Sequence, residues 1–114
     1  MTKEGQISAN IFNGAVQMEV FHKGPGMKFD TAKPDYTLVP WHSVEEIVKV
    51  LDFGAKKYAR DNWKHVEGGA QRYLAAAFRH LAAHNMGEVN DPESGLSHLA
   101  HAGCCVLFLL SLEK

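Results

Sequence analysis

The sequence predicts an all-α helical bundle with an N-terminal β-hairpin. Apolar residues recur at helical spacing from Ser43 onward, the stretch Leu96 to Leu112 is apolar almost all round, and strand-like composition is confined to Gln6 to Phe21.

The stretch "QISANIFNGAVQMEVF" holds two runs rich in β-branched and aromatic residues, joined by Asn13-Gly14. Asn-Gly readily takes the positive φ values of a type I′ turn, which makes a hairpin the natural reading. A lone hairpin is marginal in water, so this one needs a surface to lie on. The next segment, "HKGPGMKFDTAKPDYTLVPW", carries Pro25, Pro34 and Pro40 and no helical period. It reads as an ordered loop.

In "PWHSVEEIVKVLDFGAKKY" the spacing of Ser43 and Glu46 is that of a capping box, which places a helix start there. Val44, Ile47, Val48, Leu51 and Ala55 form the expected buried stripe. Glu45 with Lys49 and Asp52 with Lys56 are i,i+4 acid–base pairs on a solvated face. Glu46 shares a second stripe with Val50, Phe53 and Lys57, so it can also face inward. Gly54 costs about 1 kcal/mol against alanine inside a helix, which points to a close backbone contact or an early end.

The second helix is expected from about Ala70 to Met86. Leu74, Phe78 and Leu81 give its apolar face, Tyr73, Ala77, His80 and His84 its flank, and Arg72 and Arg79 its other side. The third is expected to begin near "DPES", with Asp91 as cap and Pro92 at the first helical position. Its apolar surface suits the centre of a bundle.

A chain of 114 residues predicts one domain, with residues 1–25 as a hairpin extension and 26–114 as the helical part. The net charge of -1 gives no electrostatic footprint for a long nucleic acid or an anionic membrane, which leaves small molecules as partners. Cys104 and Cys105 are sequence neighbours in an apolar run and read as small buried hydrophobes. The first residues lack the apolar core of a signal peptide, and "LAHAGCCVLFLLSL" is too short to span a bilayer. A cytoplasmic location is expected.

The chemistry concentrates between Arg79 and Cys105, which hold His80, His84, His98 and His101 with Glu88, Asp91 and Glu93. If the second and third helices pack antiparallel, these groups meet at one end of the bundle. Carboxylates there suit Mg²⁺ or Mn²⁺, and imidazoles accept Mn²⁺, Zn²⁺ or Ni²⁺. Each residue also has a plainer role: Asp91 and Glu46 as caps, and each histidine as the donor to a backbone carbonyl. Arg72 and Arg79 are either a solvated face or a grip on a phosphate chain.

The blocks "GMKFDTAKPDYTLVPW", "VLDFGAKKYARDNW", "RYLAAAFRHL" and "GEVNDPESGLSHLAHAGCCVLFLL" together resemble the phage-type dATP/dGTP diphosphohydrolase family, relatives of the all-α MazG-like nucleoside triphosphate pyrophosphatases. The resemblance runs from about Gly26 to Leu112. It implies an oligomeric helical bundle that cleaves a purine deoxynucleoside triphosphate between its α and β phosphates with Mg²⁺ or Mn²⁺. It also implies that Glu88 and Asp91 are the E-x-x-D half of the metal signature. The other half should read E-E-x-x-E; here it is "EEIVK", with Lys49 in the last place.

On that resemblance the catalytic and metal-binding residues are Glu88, Asp91 and His98, with Glu46, His80 and His101 as further metal ligands. Lys33, Lys57, Arg72 and Arg79 contact phosphates, Asp30 orients Lys33, and Tyr58, Asn62 and Trp63 form the base pocket. A second reading is a non-catalytic protein that sequesters a nucleotide signal of host defence, which the broken signature favours. A histidine–metal phosphohydrolase of the HD type is a third, and the chain holds no His-Asp dipeptide.

Overall fold

The computed structural model describes residues 25–113, so the hairpin expected around Asn13-Gly14 lies outside the described residues. The described residues fall into two units that divide between Leu38 and Val39. In the first, a turn brings the Lys33 N–H to the Asp30 carbonyl at 3.1 Å. The Asp35 carboxylate then accepts from the backbone and hydroxyl of Thr37, ahead of a 3-10 turn at Tyr36–Leu38.

The second unit contains the three α-helices of the described residues: α1 (Trp41–Lys57), α2 (Gly69–Asn85) and α3 (His98–Leu112). A 3-10 turn at Asn62–His65 joins α1 to α2. The described residues contain no strand, only an isolated bridge between Asn90 and Ser97. The chain is all-α where it is described. No described helix is long and apolar enough to cross a membrane.

Helix α1 starts two residues before Ser43, and the expected capping box is not made. Pro40 occupies the N-cap without a side-chain cap bond, and the Ser43 N–H donates to the Pro40 carbonyl from inside the first turn. Proline lacks an N–H and has a fixed φ, so a helix edge suits it. Freed from the cap, Glu46 pairs with Lys49 at 3.0 Å, in place of the expected Glu45–Lys49 pair.

The buried stripe of α1 is also rotated from its expected position. Val50 is buried, with Ile47 and Leu51 beside it, whereas Val48 is 45% exposed and Ala55 is exposed. Gly54 approaches nothing, since an added Cβ would meet no atom within 4 Å. The tight contact is instead at Gly103 of α3, where a Cβ would lie 2.8 Å from Ile47 Cδ1.

Helix α3 packs against both α1 and α2. Tyr73 meets Phe108, and His80 meets His98 and His101, so α2 and α3 run antiparallel. The face that α2 buries carries Tyr73, Ala77 and His80, the expected flank. The expected apolar face, Leu74, Phe78 and Leu81, is 40–60% exposed. Small Ala77 lets the helices approach closely, and dispersion contacts reward that approach. Helix α3 is central but not enclosed. His98, Ala100, Ala102, Cys104 and Cys105 are buried, while Leu99, Val106, Leu107 and Leu110 remain 44–57% exposed.

Candidate functional site: a histidine and carboxylate cluster at the α2–α3 junction

The junction is shaped by two local devices. At the end of α2, Gly87 takes φ +100°, its N–H bonds to the His84 carbonyl, and the Glu88 N–H reaches back to the Ala83 carbonyl at 3.0 Å. This pair of bonds is a Schellman ending, which needs a left-handed residue and so favours glycine. It turns the chain sharply and delivers Glu88.

The connector then folds on itself. The Asp91 N–H donates to the Leu96 carbonyl at 2.7 Å, the Asp91 carboxylate accepts from the Ser94 N–H at 2.9 Å, and Gly95 adopts φ +74°. Asp91 therefore caps a turn, not a helix. Helix α3 starts seven residues later than Asp91, capped by the Ser97 hydroxyl, which accepts from Leu99 and Ala100 N–H. Ser94 has no place in the sequence reading, yet its hydroxyl lies 2.7 Å from His101 Nε2 and accepts from the Leu96 N–H.

These backbones bring the histidines together. His98, only 3% exposed, has its Nε2 2.7 Å from Glu88 Oε1 and its Nδ1 2.8 Å from His80 Nδ1. The rings of His80 and His101 stack at 4.5 Å, and His101 Nε2 is 3.9 Å from Asp91 Oδ2. One donor atom each from His80, Asp91 and His98 lie within 4.8 Å of one another. Glu88, Asp91, His98, His80 and His101 are thus assembled as one cluster. His84 is exposed and outside it.

Burial pushes the His80 and His101 imidazoles below their ordinary value, assisted by the other histidines and opposed by Asp91. For Asp91, burial pulls upward, but the Ser94 hydrogen bonds and the nearby His101 outweigh it and hold the carboxyl below the usual range. These directions favour neutral imidazoles at His80 and His101 beside an ionised Asp91 at neutral pH.

A cavity of about 590 Å³ opens from this cluster across α1, a volume suited to a small ligand. His80, Asp91 and His101 line one part of it; Lys57, Tyr58, Asn62, Trp63 and Arg79 line others. Lys57 ends 2.7 Å from Glu93 and 5.2 Å from the Tyr58 ring centre. Trp63 stacks on Phe108 with centroids 4.5 Å apart and planes 12° apart, so one of its faces is taken. The Arg79 guanidinium forms no hydrogen bond or ion pair among the described residues.

Four of the expected residues in the second unit do not line this cavity: Glu88 and His98, which belong to the cluster, and Arg72 and Glu46. Arg72 is exposed, donates to the Glu67 carbonyl at 3.5 Å and is not part of the lining. Glu46 is likewise absent from the lining and is engaged by Lys49. Lys33 and Asp30 belong to the first unit.

The family model described as "dATP/dGTP diphosphohydrolase, N-terminal" matches residues 23–114. The chain belongs to this family. It is 36% identical over 87 residues to a dATP/dGTP diphosphohydrolase of Salmonella phage PMBT28, a match covering 76% of this chain and 29% of that protein. The chain therefore spans less than a third of the length of this relative. No solved structure matches it. The stretch that matches the family model contains every residue of the cluster and of the cavity lining.

The donor set can be tested against the Mg²⁺ or Mn²⁺ that the resemblance implies. Mg²⁺ takes hard oxygen ligands in near-ideal octahedral geometry. Two imidazoles and one carboxylate are a poor match for it, whereas Mn²⁺ and the later first-row ions accept imidazole readily.

Proposed function

We propose that this chain binds a purine deoxynucleoside triphosphate in the α1–α3 cavity and acts in its hydrolysis to the monophosphate and pyrophosphate. The reading rests on one observation. The cavity joins cationic side chains, exposed aromatic surface and the histidine–carboxylate cluster within a single wall. The name of the phage relative supports the substrate class.

Each group has a role in this reading. Lys57 and Arg79 neutralise the phosphates and the departing pyrophosphate, which is where negative charge develops. Tyr58, 64% exposed, offers a face to the base, and Asn62 offers amide hydrogen bonds. Trp63 serves as the wall behind them, braced by Phe108. Ionised Asp91 orients the attacking water, and the neutral imidazoles of His80 and His101 are the better proton acceptors. Glu88 holds His98 in place.

The protein is proposed to work in the cytoplasm as a homo-oligomer. The exposure of Leu74, Phe78 and Leu81 on α2 and of Leu99, Val106, Leu107 and Leu110 on α3 supports assembly, because exposed apolar surface is commonly covered by a partner. Light scattering behind a sizing column measures the mass directly.

A second reading is that the chain binds a nucleotide without cleaving it. The Glu46–Lys49 pair favours it, since it engages the acid that the first half of the metal signature would supply. The experiment is chromatography after incubation with deoxynucleoside and ribonucleoside triphosphates and cyclic oligonucleotides, with and without Mn²⁺. Release of pyrophosphate and monophosphate supports hydrolysis, and recovery of intact ligand at one equivalent supports sequestration. Failure to cut or retain any of them removes both readings.

A further inference from the structure

We infer that Asp61 is a specificity-determining residue whose carboxylate reads the Watson–Crick edge of guanine, so that the site prefers guanine to adenine nucleotides. The inference rests on the nucleotide reading and adds to it the base that the cavity selects.

The first observation is backbone strain without local compensation. Asp61 takes φ +63° and ψ 14°, and it alone among the described non-glycine residues has a positive φ. A Cβ makes that region costly, and aspartate is tolerated there chiefly when its side chain bonds to nearby backbone. Asp61 stands at the head of the 3-10 turn at Asn62–His65, yet its side chain makes no cap bond. Its ion-pair partner is Lys64 at 3.8 Å, with both side chains about half exposed. An open pair of that kind contributes little to stability. Glycine would hold this turn with less strain. Strain that the surrounding fold leaves unexplained is characteristic of binding and catalytic positions.

The second observation is the place of this residue in the cavity. Asp61 lines it beside Asn62 and Trp63. Asn62 is half-buried, and its amide has no partner among the described residues. Adjacent positions therefore offer a carboxylate, which only accepts hydrogen bonds, and an amide, which donates and accepts. A carboxylate repels a phosphate chain, so it belongs at the uncharged end of a bound nucleoside triphosphate, with the base.

The edge chemistry of the purines then decides. Guanine presents N1–H and N2–H side by side, a pair of donors that matches the oxygens of one carboxylate. Adenine presents a single amino donor next to N1, whose lone pair repels a carboxylate. A group that only accepts binds the guanine edge in bidentate fashion and leaves the adenine N1 facing a negative charge.

The test is equilibrium binding of the α,β-imido analogues of dGTP, dATP and dITP to the full chain in the presence of Mn²⁺. The dGTP analogue should bind roughly tenfold or more tightly than the dATP analogue. The dITP analogue, which keeps N1–H and lacks the N2 amino group, should fall between them. Asp61→Asn should weaken binding of the dGTP analogue and strengthen that of the dATP analogue, whose N1 then meets an amide donor. A residue with only a structural role would move both affinities the same way. Asp61→Gly should also abolish the preference, while its unfolding midpoint does not fall, because glycine takes a positive φ without strain.

Equal affinity of the parent for the dGTP and dATP analogues overturns the inference and leaves the nucleotide reading standing. So does a guanine preference that survives Asp61→Asn, or an equal loss of both affinities in that variant when folded. If the parent retains none of the three analogues, the nucleotide reading falls and the inference falls with it.

Discussion

The Lys57 ammonium on α1 lies 2.7 Å from the Glu93 carboxylate in the α2–α3 connector, 36 positions along the chain. The pair ties the first helix to the loop that carries Asp91, and the Glu93 hydrogen bond raises the Lys57 ammonium above its ordinary value. It also places an acid where the proposed function requires a free cation. Phosphate binding must therefore compete with Glu93 for Lys57.

Glu93→Gln should release Lys57 from that competition. Both side chains are largely exposed, so the unfolding midpoint should barely move. Affinity for a nucleoside triphosphate should rise several-fold, and its fall with added salt should steepen, because one more full charge then meets the ligand. Binding titrations at low and high salt measure both. An affinity no different from the parent's at either salt would take Lys57 out of the phosphate contacts.

Gly87→Ala tests how Glu88 is delivered to His98. Gly87 sits at φ +100°, and an added Cβ would touch nothing within 4 Å, so the substitution isolates backbone strain from packing. A left-handed backbone disfavours a residue with a Cβ by roughly 1–2 kcal/mol, and the loss should appear in chemical denaturation. Stability equal to the parent's would mean that the α2 ending is not held as described.

The sequence made the helices and the meeting of His80, His98 and His101 with Glu88 and Asp91 legible, because periodicity and loop length together dictate an antiparallel α2–α3 pair. It misled on faces. Leu74, Phe78 and Leu81 form the more hydrophobic stripe of α2, yet the buried stripe is the one with small Ala77, since close helix approach depends on side-chain size as well as hydrophobicity. It also misled on starts. Ser43 and Asp91 both look like caps, but Pro40 and Ser97 hold those positions. Gly95 at φ +74° signals that "DPESG" closes a turn before any helix begins. Ser94 went unnoticed because a serine hydroxyl has no sequence signature until the fold puts a histidine beside it.

The two cysteines should be inert. Burial pushes the Cys104 thiol up to about 12 and raises Cys105 in the same direction, so at pH 8 both stay protonated and weakly nucleophilic. Both are also shielded, at 4% and 8% exposure. A colorimetric disulfide reagent at pH 8 should react with neither in the native chain over minutes and with both in denaturant. Prompt reaction of one thiol in native protein would contradict the packing of α3 against α1 and α2.

Asp91→Asn separates structure from chemistry at a single atom. An asparagine oxygen still accepts the Ser94 N–H that Asp91 now holds at 2.9 Å, so the connector keeps its turn, and the unfolding free energy should stay within about 1 kcal/mol of the parent. What disappears is the negative charge beside His80 and His101, which the ionised carboxylate supplies at neutral pH because the Ser94 bonds outweigh its burial. On the proposed function, turnover of a purine deoxynucleoside triphosphate should then fall below detection while the circular dichroism spectrum is retained. A folded variant that releases pyrophosphate at the parent rate would remove Asp91 from the reaction and leave it with only its role in the turn.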